Sequence, residues 1–166
     1  MKKKNGTPLS GLSPVKRFIV SVFVFCGIVF ITLMVCFMIA LNGVRKTERH
    51  MDQGTVFLSQ GRFEESLDNF DKALKGNPRK KLAWTGKGIC LLNLGRYEEA
   101  LENYETTLEI YPKYAQAWLG KGMSYEYLGD YGEALKCFDK AQEIFPEHGL
   151  VKTLKKRVLQ KINGSP

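Results

Sequence analysis

The sequence predicts an all-α protein, in which an N-terminal transmembrane helix is followed by an α-solenoid of about three helix pairs and a C-terminal capping helix. Three observations predict this fold: a long uncharged apolar segment, a repeat of 34 residues, and a basic amphipathic segment at the end. The chain has 166 residues, enough for about one domain. Because the apolar segment uses part of that length, the folded portion is small.

The first element is the apolar segment from Phe18 to Leu41, which has 24 residues and no charge. As a helix it would be about 36 Å long, longer than the roughly 30 Å hydrocarbon core of a bilayer. The alternatives are a buried core helix and a cleaved signal peptide, whose apolar region usually has only about 7–15 residues. We therefore expect a retained anchor that contacts membrane lipid through residues 18–41.

Charge is distributed unevenly around this anchor. Five bases and no acid precede it, whereas residues 44–166 carry 20 bases and 17 acids. The five bases are Lys2, Lys3, Lys4, Lys16 and Arg17. Since positively charged flanks tend to stay in the cytoplasm, we expect a single-pass protein of the cell membrane. Its basic tail at 1–17 would be cytoplasmic and its repeats would lie on the outer side.

The next elements are three segments that align at an interval of 34 residues and begin at Thr47, Lys81 and Ala115. They share seven columns of similar residues: two of glycine, one of proline and four of aromatic or small residues. The columns are Gly54, Gly88, Gly122; Gly61, Gly95, Gly129; Phe63, Tyr97, Tyr131; Ser66, Ala100, Ala134; Phe70, Tyr104, Phe138; Ala73, Thr107, Ala141; and Pro78, Pro112, Pro146.

Within one repeat, the spacing predicts two helices joined by a turn. Trp84, Gly88 and Leu91 share one face of a first helix, which ends near Gly95. A second helix with the same spacing follows and ends before Pro112, because proline cannot continue a helix. Each repeat is therefore predicted to be a helix–turn–helix unit.

These columns resemble the signature of the tetratricopeptide repeat family, in which Trp, Gly, Tyr, Gly, Tyr, Ala, Phe and Pro recur at these intervals. The repeats at 81–114 and 115–148 match closely, whereas the one at 47–80 is divergent, with His50 in the Trp column and Ser66 in the Ala column. A terminal repeat has no predecessor to pack against, so we expect the divergent segment to be a repeat as well.

The last element, at 149–162, is predicted to be a helix that closes the array. One side of it would carry Leu150, Leu154, Val158 and Ile162, with the lysines largely elsewhere. Such a helix resembles the solvating helix that ends arrays of this family.

The resemblance implies a concave surface that is lined by the first helix of each pair and that binds a peptide or a helix. A mainly apolar stripe lies one residue away from the core stripe on these helices. It consists of Met51, Thr55, Leu58; Thr85, Ile89, Leu92; and Leu119, Met123, Tyr127. We predict that all except Leu58 form a groove for a partner. The competing interpretation is that these side chains pack between neighbouring repeats.

One subfamily of this repeat binds the acidic C-terminal tails of chaperones through Lys, Asn and Arg side chains. The matching positions here are Met51, Thr55, Gly86, Gln116 and Gly120, so the resemblance does not imply that ligand. Gly86 and Gly120 lie inside a helix, where each costs about 1 kcal/mol relative to Ala. One interpretation is that these glycines open the groove floor to a ligand. The other is that they arose by sequence drift, which strong tertiary packing tolerates.

No motif predicts catalysis, a cofactor or a metal. His50 and His148 lie near opposite ends of the repeats, Cys90 and Cys137 stand singly, and no zinc, phosphate-loop or nucleophile spacing occurs. We expect a non-enzymatic adaptor that binds a membrane-proximal protein or peptide. The alternatives are a homo-oligomeric component of an envelope complex, and a binder of lipid surfaces or nucleic acid through the basic turn at 152–157. The small net charge of the repeats argues against nucleic acid.

Overall fold

The computed structural model describes residues 13–147 and 149–164, which form seven α-helices and no strand. The helices are α1 (Pro14–Ser59), α2 (Phe63–Gly76), α3 (Lys81–Asn93), α4 (Tyr97–Ile110), α5 (Ala115–Leu128), α6 (Tyr131–Ile144) and α7 (Gly149–Ile162). The chain divides into two compact units, Met1–Gly43 and Val44–Pro166, and α1 contributes residues to both. The all-helical fold class is thus confirmed for the described residues.

The first unit contains the apolar part of α1, in which every described side chain is exposed. The most apolar stretch of 18 residues in α1 has a mean hydropathy of 2.9, and none of it is buried. Within 13–147 and 149–164, α1 is the one helix that is long and apolar enough to cross a membrane. Its length and composition agree with those expected of an anchor.

In the second unit, each helix pair turns at a glycine with a positive φ. The φ angles of Gly61, Gly95 and Gly129 are 73°, 74° and 86°, a left-handed conformation that costs other residues about 1–2 kcal/mol. The residue after each glycine donates its backbone N–H to the first helix over 2.9–3.0 Å. The second glycine column therefore fixes the turn inside every pair.

The tryptophan and proline columns join each first helix to the loop before it. The indole Nε1 of Trp84 donates to the carbonyl of Pro78, and that of Trp118 donates to the carbonyl of Pro112, both over 2.8 Å. In the first repeat, His50 stands in this column, and its Nδ1 lies 3.4 Å from Oδ1 of Asn69. The divergent repeat thus replaces a contact to the loop with one to its own second helix.

The capping helix α7 packs through Val151, Leu154 and Val158, which are at most 4% exposed. The prediction that Leu150 and Ile162 share this side was wrong, since both are 49% exposed. Residues spaced strictly by four drift about 40° around a helix at each step. The ends of the predicted set therefore turn away, and the set spaced by three and four is buried instead.

A buried acid also holds α7 against α5. Glu126 is 3% exposed, and its carboxylate accepts hydrogen bonds from Arg157 at 2.8 and 2.6 Å and from Lys161 at 2.9 Å. Burial opposes the charged form of Glu126, but these hydrogen bonds outweigh that effect and lower its pKa below the usual value. The end of the array is thus fixed by an ionic contact as well as by apolar packing.

Candidate functional site

A cavity of about 240 Å³ opens where α3 and α5 lie side by side, and we call it the groove cavity. Most of its lining belongs to these two first helices of the second and third repeats, with one residue from α4. The lining residues are Thr85, Ile89, Leu92, Asn93, Tyr104, Gln116, Leu119, Gly120, Met123 and Tyr127.

Six of the eight predicted groove residues line this cavity. They are Thr85, Ile89 and Leu92 on α3 and Leu119, Met123 and Tyr127 on α5. The sequence therefore indicated which side chains come together in the second and third repeats. Their role in binding a partner stays a prediction.

The two predicted residues of the first repeat do not line the groove cavity. Met51 is 6% exposed and belongs to the hydrophobic cluster that surrounds Phe70. Met51 thus packs between neighbouring repeats, as the competing interpretation of this stripe expects. Thr55 is exposed, and its hydroxyl donates to the carbonyl of Asp52 on the same helix over 2.8 Å.

Four lining residues were not among the predicted groove residues: Asn93, Gln116, Gly120 and Tyr104. Asn93 follows Ile89 by four residues and Gln116 precedes Leu119 by three, so helical spacing alone was a sufficient signal for both. Tyr104 had no such signal, because it stands in a column of buried aromatic residues on the second helix.

The floor of the groove cavity is formed by Gly120 and the ring of Tyr104. A Cβ atom at Gly120 would lie 2.2 Å from Cζ of Tyr104, and one at Gly88 would lie 2.6 Å from the same atom. These distances are far below an ordinary carbon contact of about 3.5 Å. The ring end therefore lies between α3 and α5, and glycine on both helices makes room for it.

Gly86 and Gly120 have a structural role that neither interpretation of the sequence gave. Each receives the aromatic ring of the second helix in the preceding repeat, because a Cβ at Gly86 would lie 2.5 Å from the ring of Phe70, as one at Gly120 would meet Tyr104. The helix propensity lost at these glycines is thus offset by close packing between neighbouring repeats. At both positions the missing side chain leaves room for an aromatic ring.

The polar groups at the groove cavity are uncharged. The Thr85 hydroxyl donates to the carbonyl of Lys81, and Nδ2 of Asn93 donates to the carbonyl of Ile89, both over 2.8 Å. No charged side chain of the described residues lines the cavity. Two lysines on the same helices are turned to neighbouring second helices, since Lys87 pairs with Asp71 at 2.8 Å and Lys121 pairs with Glu105 at 2.9 Å.

One edge of the groove cavity is an aromatic wall. Tyr127 is 51% exposed, and its ring stacks on that of Tyr97 with 4.9 Å between centroids and 5° between planes. Such stacking adds about 0.5–1.5 kcal/mol to the packing. The exposed Tyr127 is therefore held in a defined position beside the cavity.

Among the described residues, the metal-ligating side chains and the two buried cysteines, Cys90 and Cys137, bear on whether a metal site or a reactive thiol is present. No group of three or more His, Cys, Asp or Glu among them is placed to hold a metal ion. Burial raises the pKa of the Cys90 thiol, and it raises that of Cys137 to about 11, which opposes formation of a reactive thiolate. His148 lies outside the described residues.

The paired helices, the glycine turns and the aromatic rings packed between repeats define a helical-repeat protein. The chain belongs to the tetratricopeptide repeat family, because two models of this repeat match residues 51–115 and 115–148. These ranges cover more than half of the chain and include most of the divergent first repeat. The resemblance seen in the sequence is thus confirmed for the repeats. No curated protein compared with the chain matches it.

Solved structures of this family share the fold. The Arabidopsis OM64 TPR domain is 21% identical with a TM-score of 0.67, and the match covers 70% of this chain and 96% of that chain. The first TPR of Spaghetti (RPAP3), bound to the HSP90 peptide SRMEEVD, is 18% identical with a TM-score of 0.68, covering 72% and 94%. YrrB, described as a TPR protein with an unusual peptide-binding site, is 30% identical with a TM-score of 0.64, covering 67% and 57%.

Proposed function

We propose that this protein is a membrane-anchored adaptor whose groove cavity binds a peptide or helix of a membrane-proximal partner. The observation that carries this proposal is the assembly of apolar side chains from two successive first helices around one cavity. In the family, the concave surface lined by these helices is the usual place for peptide capture. A second support is that the Spaghetti domain of similar fold is bound to a peptide.

The size and lining of the groove cavity favour protein side chains as its occupant. Its volume of about 240 Å³ is below the range of roughly 300–1,000 Å³ that is typical of small-molecule sites. Its apolar lining suits one or two buried apolar anchors, which supply most of the binding energy in many interfaces. The positions that bind acidic tails in the chaperone-binding subfamily hold Met51, Thr55, Gly86, Gln116 and Gly120 here, so the proposed ligand differs from such a tail.

The proposed groove is tested by capture of partners with the full chain in lipid nanodiscs. The test variant is Ile89→Asp with Met123→Asp, which places two charges in the apolar lining. The matched control is Val56→Asp with Leu159→Asp, because both residues are exposed aliphatic side chains outside the cavity. We expect the test variant to lose the partners that wild type and control retain. An identical partner list from all three proteins would reject the groove as the binding surface.

The proposed anchor is the apolar segment at 18–41, supported by the uncharged sequence and the exposed helix that carries it. An anchored protein stays in the membrane pellet during alkaline carbonate extraction, and N-terminal sequencing of the mature chain still finds residues before the segment. A cleaved signal peptide gives a chain that starts after it and is released. Protease added outside intact cells is expected to digest the repeats if the N-terminus is cytoplasmic, and to spare them in the opposite orientation.

Confinement to a membrane strengthens the proposed interaction without new contacts. A partner in the same bilayer meets the groove at a raised effective concentration. A modest affinity between one cavity and a short segment is then sufficient for occupancy. We therefore expect binding to a membrane-embedded partner to weaken when residues 1–43 are deleted, even if the groove is intact.

A further inference from the structure

Tyr104 lines the groove cavity, and its hydroxyl is at the end of the ring that lies between α3 and α5. Tyr104 is 1% exposed as a whole, and the ring atom that bears its hydroxyl, Cζ, is the one nearest to both Gly88 and Gly120. The corresponding residues of the neighbouring repeats are Phe70 and Phe138, which have no hydroxyl. Of these three second-helix aromatic residues, the one that carries a hydroxyl is thus the one that lines the groove cavity.

This hydroxyl has no hydrogen-bond partner among residues 13–147 and 149–164. The one side-chain nitrogen or oxygen that is fully enclosed and unpaired in those residues is Oδ1 of Asn103. The Tyr104 hydroxyl is therefore not sealed in the core, and the groove cavity, which Tyr104 lines, is the space that reaches it. Burial raises the pKa of Tyr104 above its ordinary value, so the hydroxyl keeps its proton and can donate.

A molecule that fills the groove cavity buries the Tyr104 hydroxyl. This molecule should offer a hydrogen-bond acceptor, because an unpaired buried hydroxyl weakens binding. The acceptor should be neutral. A carboxylate would lose its hydration without gaining a cation, since no charged side chain of the described residues lines the cavity. A backbone carbonyl is neutral and occurs next to every side chain of a peptide.

We propose that the groove cavity selects an uncharged peptide segment whose apolar side chain packs on Ile89 and Met123 while a carbonyl oxygen beside it accepts a hydrogen bond from the Tyr104 hydroxyl. This inference rests on the proposed function and adds the chemistry of the ligand. In this arrangement Tyr104 determines specificity, and the aliphatic residues provide the contact area.

The test uses peptides selected on the full chain in nanodiscs from a displayed library of random short sequences. Peptides are kept if their binding is lost on the Ile89→Asp, Met123→Asp variant. The decisive variant is Tyr104→Phe, because the other repeats carry Phe at this position and the packing is preserved. We expect the peptide Kd, measured by fluorescence anisotropy, to rise about three- to tenfold, the effect of one neutral hydrogen bond. The matched control, Tyr131→Phe, removes a hydroxyl outside the cavity and should leave Kd unchanged.

A second measurement locates the acceptor. Each amide of the selected peptide is replaced in turn by an ester, whose carbonyl is a weaker acceptor. We expect one replacement to weaken binding to wild type and to have a smaller effect on Tyr104→Phe, which shows that the two groups are coupled.

The outcomes separate the two proposals. If Tyr104→Phe binds the groove-dependent peptides as tightly as wild type, this inference is wrong and the proposed function stands. If every selected peptide needs a carboxylate, the neutral acceptor is rejected. If no peptide depends on Ile89 and Met123, the proposed function fails and this inference fails with it.

Discussion

Gly120→Ala tests whether neighbouring repeats are stabilised by the close packing of aromatic rings against glycine residues. In a helix interior this change is expected to stabilise by about 1 kcal/mol. At Gly120, however, the added Cβ would lie 2.2 Å from Cζ of Tyr104, roughly 1.3 Å inside an ordinary carbon contact. The ring cannot retreat, because Gly88 receives it on the other side. Overpacking of this kind costs about 1–3 kcal/mol, and an overlap this deep belongs in the upper part of that range. We therefore expect a net loss of about 1–2 kcal/mol.

The change in unfolding free energy is measured by urea denaturation of the full chain in detergent, followed by tryptophan fluorescence. Both tryptophans, Trp84 and Trp118, lie in the repeats, so the signal reports on this unit. Gly132→Ala on α6 is the matched control, because its Cβ would be 3.8 Å from the nearest atom, Oδ1 of Asp130. We expect the control to gain about 0.5 kcal/mol. A Gly120→Ala protein as stable as wild type would refute the argument that the ring requires glycine.

Further predictions concern the capping helix and the cavity. Glu126→Gln is expected to destabilise α7 by about 1–2 kcal/mol, because it removes a buried charged acceptor while Arg157 and Lys161 remain partly solvated. Faster hydrogen exchange in α7 would show this loss. The control is Glu99→Gln, which removes the charge of an exposed ion pair. Since the folded pKa of Glu126 is lowered, its contribution to stability is present above the unfolded pKa of about 4.3 and is lost as pH falls through the folded pKa. The opening free energy of α7, taken from exchange rates after correction for the intrinsic pH dependence of amide exchange, should therefore fall only in acid in wild type, and this fall should be weaker in Glu126→Gln. Thr85→Met introduces the residue that the first repeat has at this position, Met51. We expect the longer side chain to fill the groove cavity and abolish binding of the selected peptides without loss of stability. Unimpaired binding would contradict the assigned site.

Much of the repeat architecture was predictable because its columns reflect local rules. A glycine that must adopt a positive φ at Gly61, Gly95 and Gly129, and a proline that must end a helix, are specified by the residue itself. Helical spacing likewise identified six side chains that line the groove cavity. These features depend on the position of a residue along one helix.

Features that depend on how two helices meet were not predictable. The sequence gives no sign that Gly86 receives the ring of Phe70, because the two residues lie on different repeats and the fit is set by the approach of α2 and α3. The same holds for α7, where a shift of one residue decides whether Leu150 or Val151 is buried. Both faces offer an apolar residue, and the packing partner selects between them.

The contrast between neighbouring repeat junctions explains why the groove cavity is found where it is. Met51, Thr85 and Leu119 stand in one column of the repeat. At the first junction, the long Met51 side chain joins the hydrophobic cluster around Phe70. At the second, the shorter Thr85 stands in its place and turns its hydroxyl to the carbonyl of Lys81, and the groove cavity lies between Thr85 and the other lining residues, Tyr104 among them. The second junction thus has a cavity where one side chain of the column is shorter, and the second-helix aromatic residue that lines it, Tyr104, is the one of its column that bears a hydroxyl.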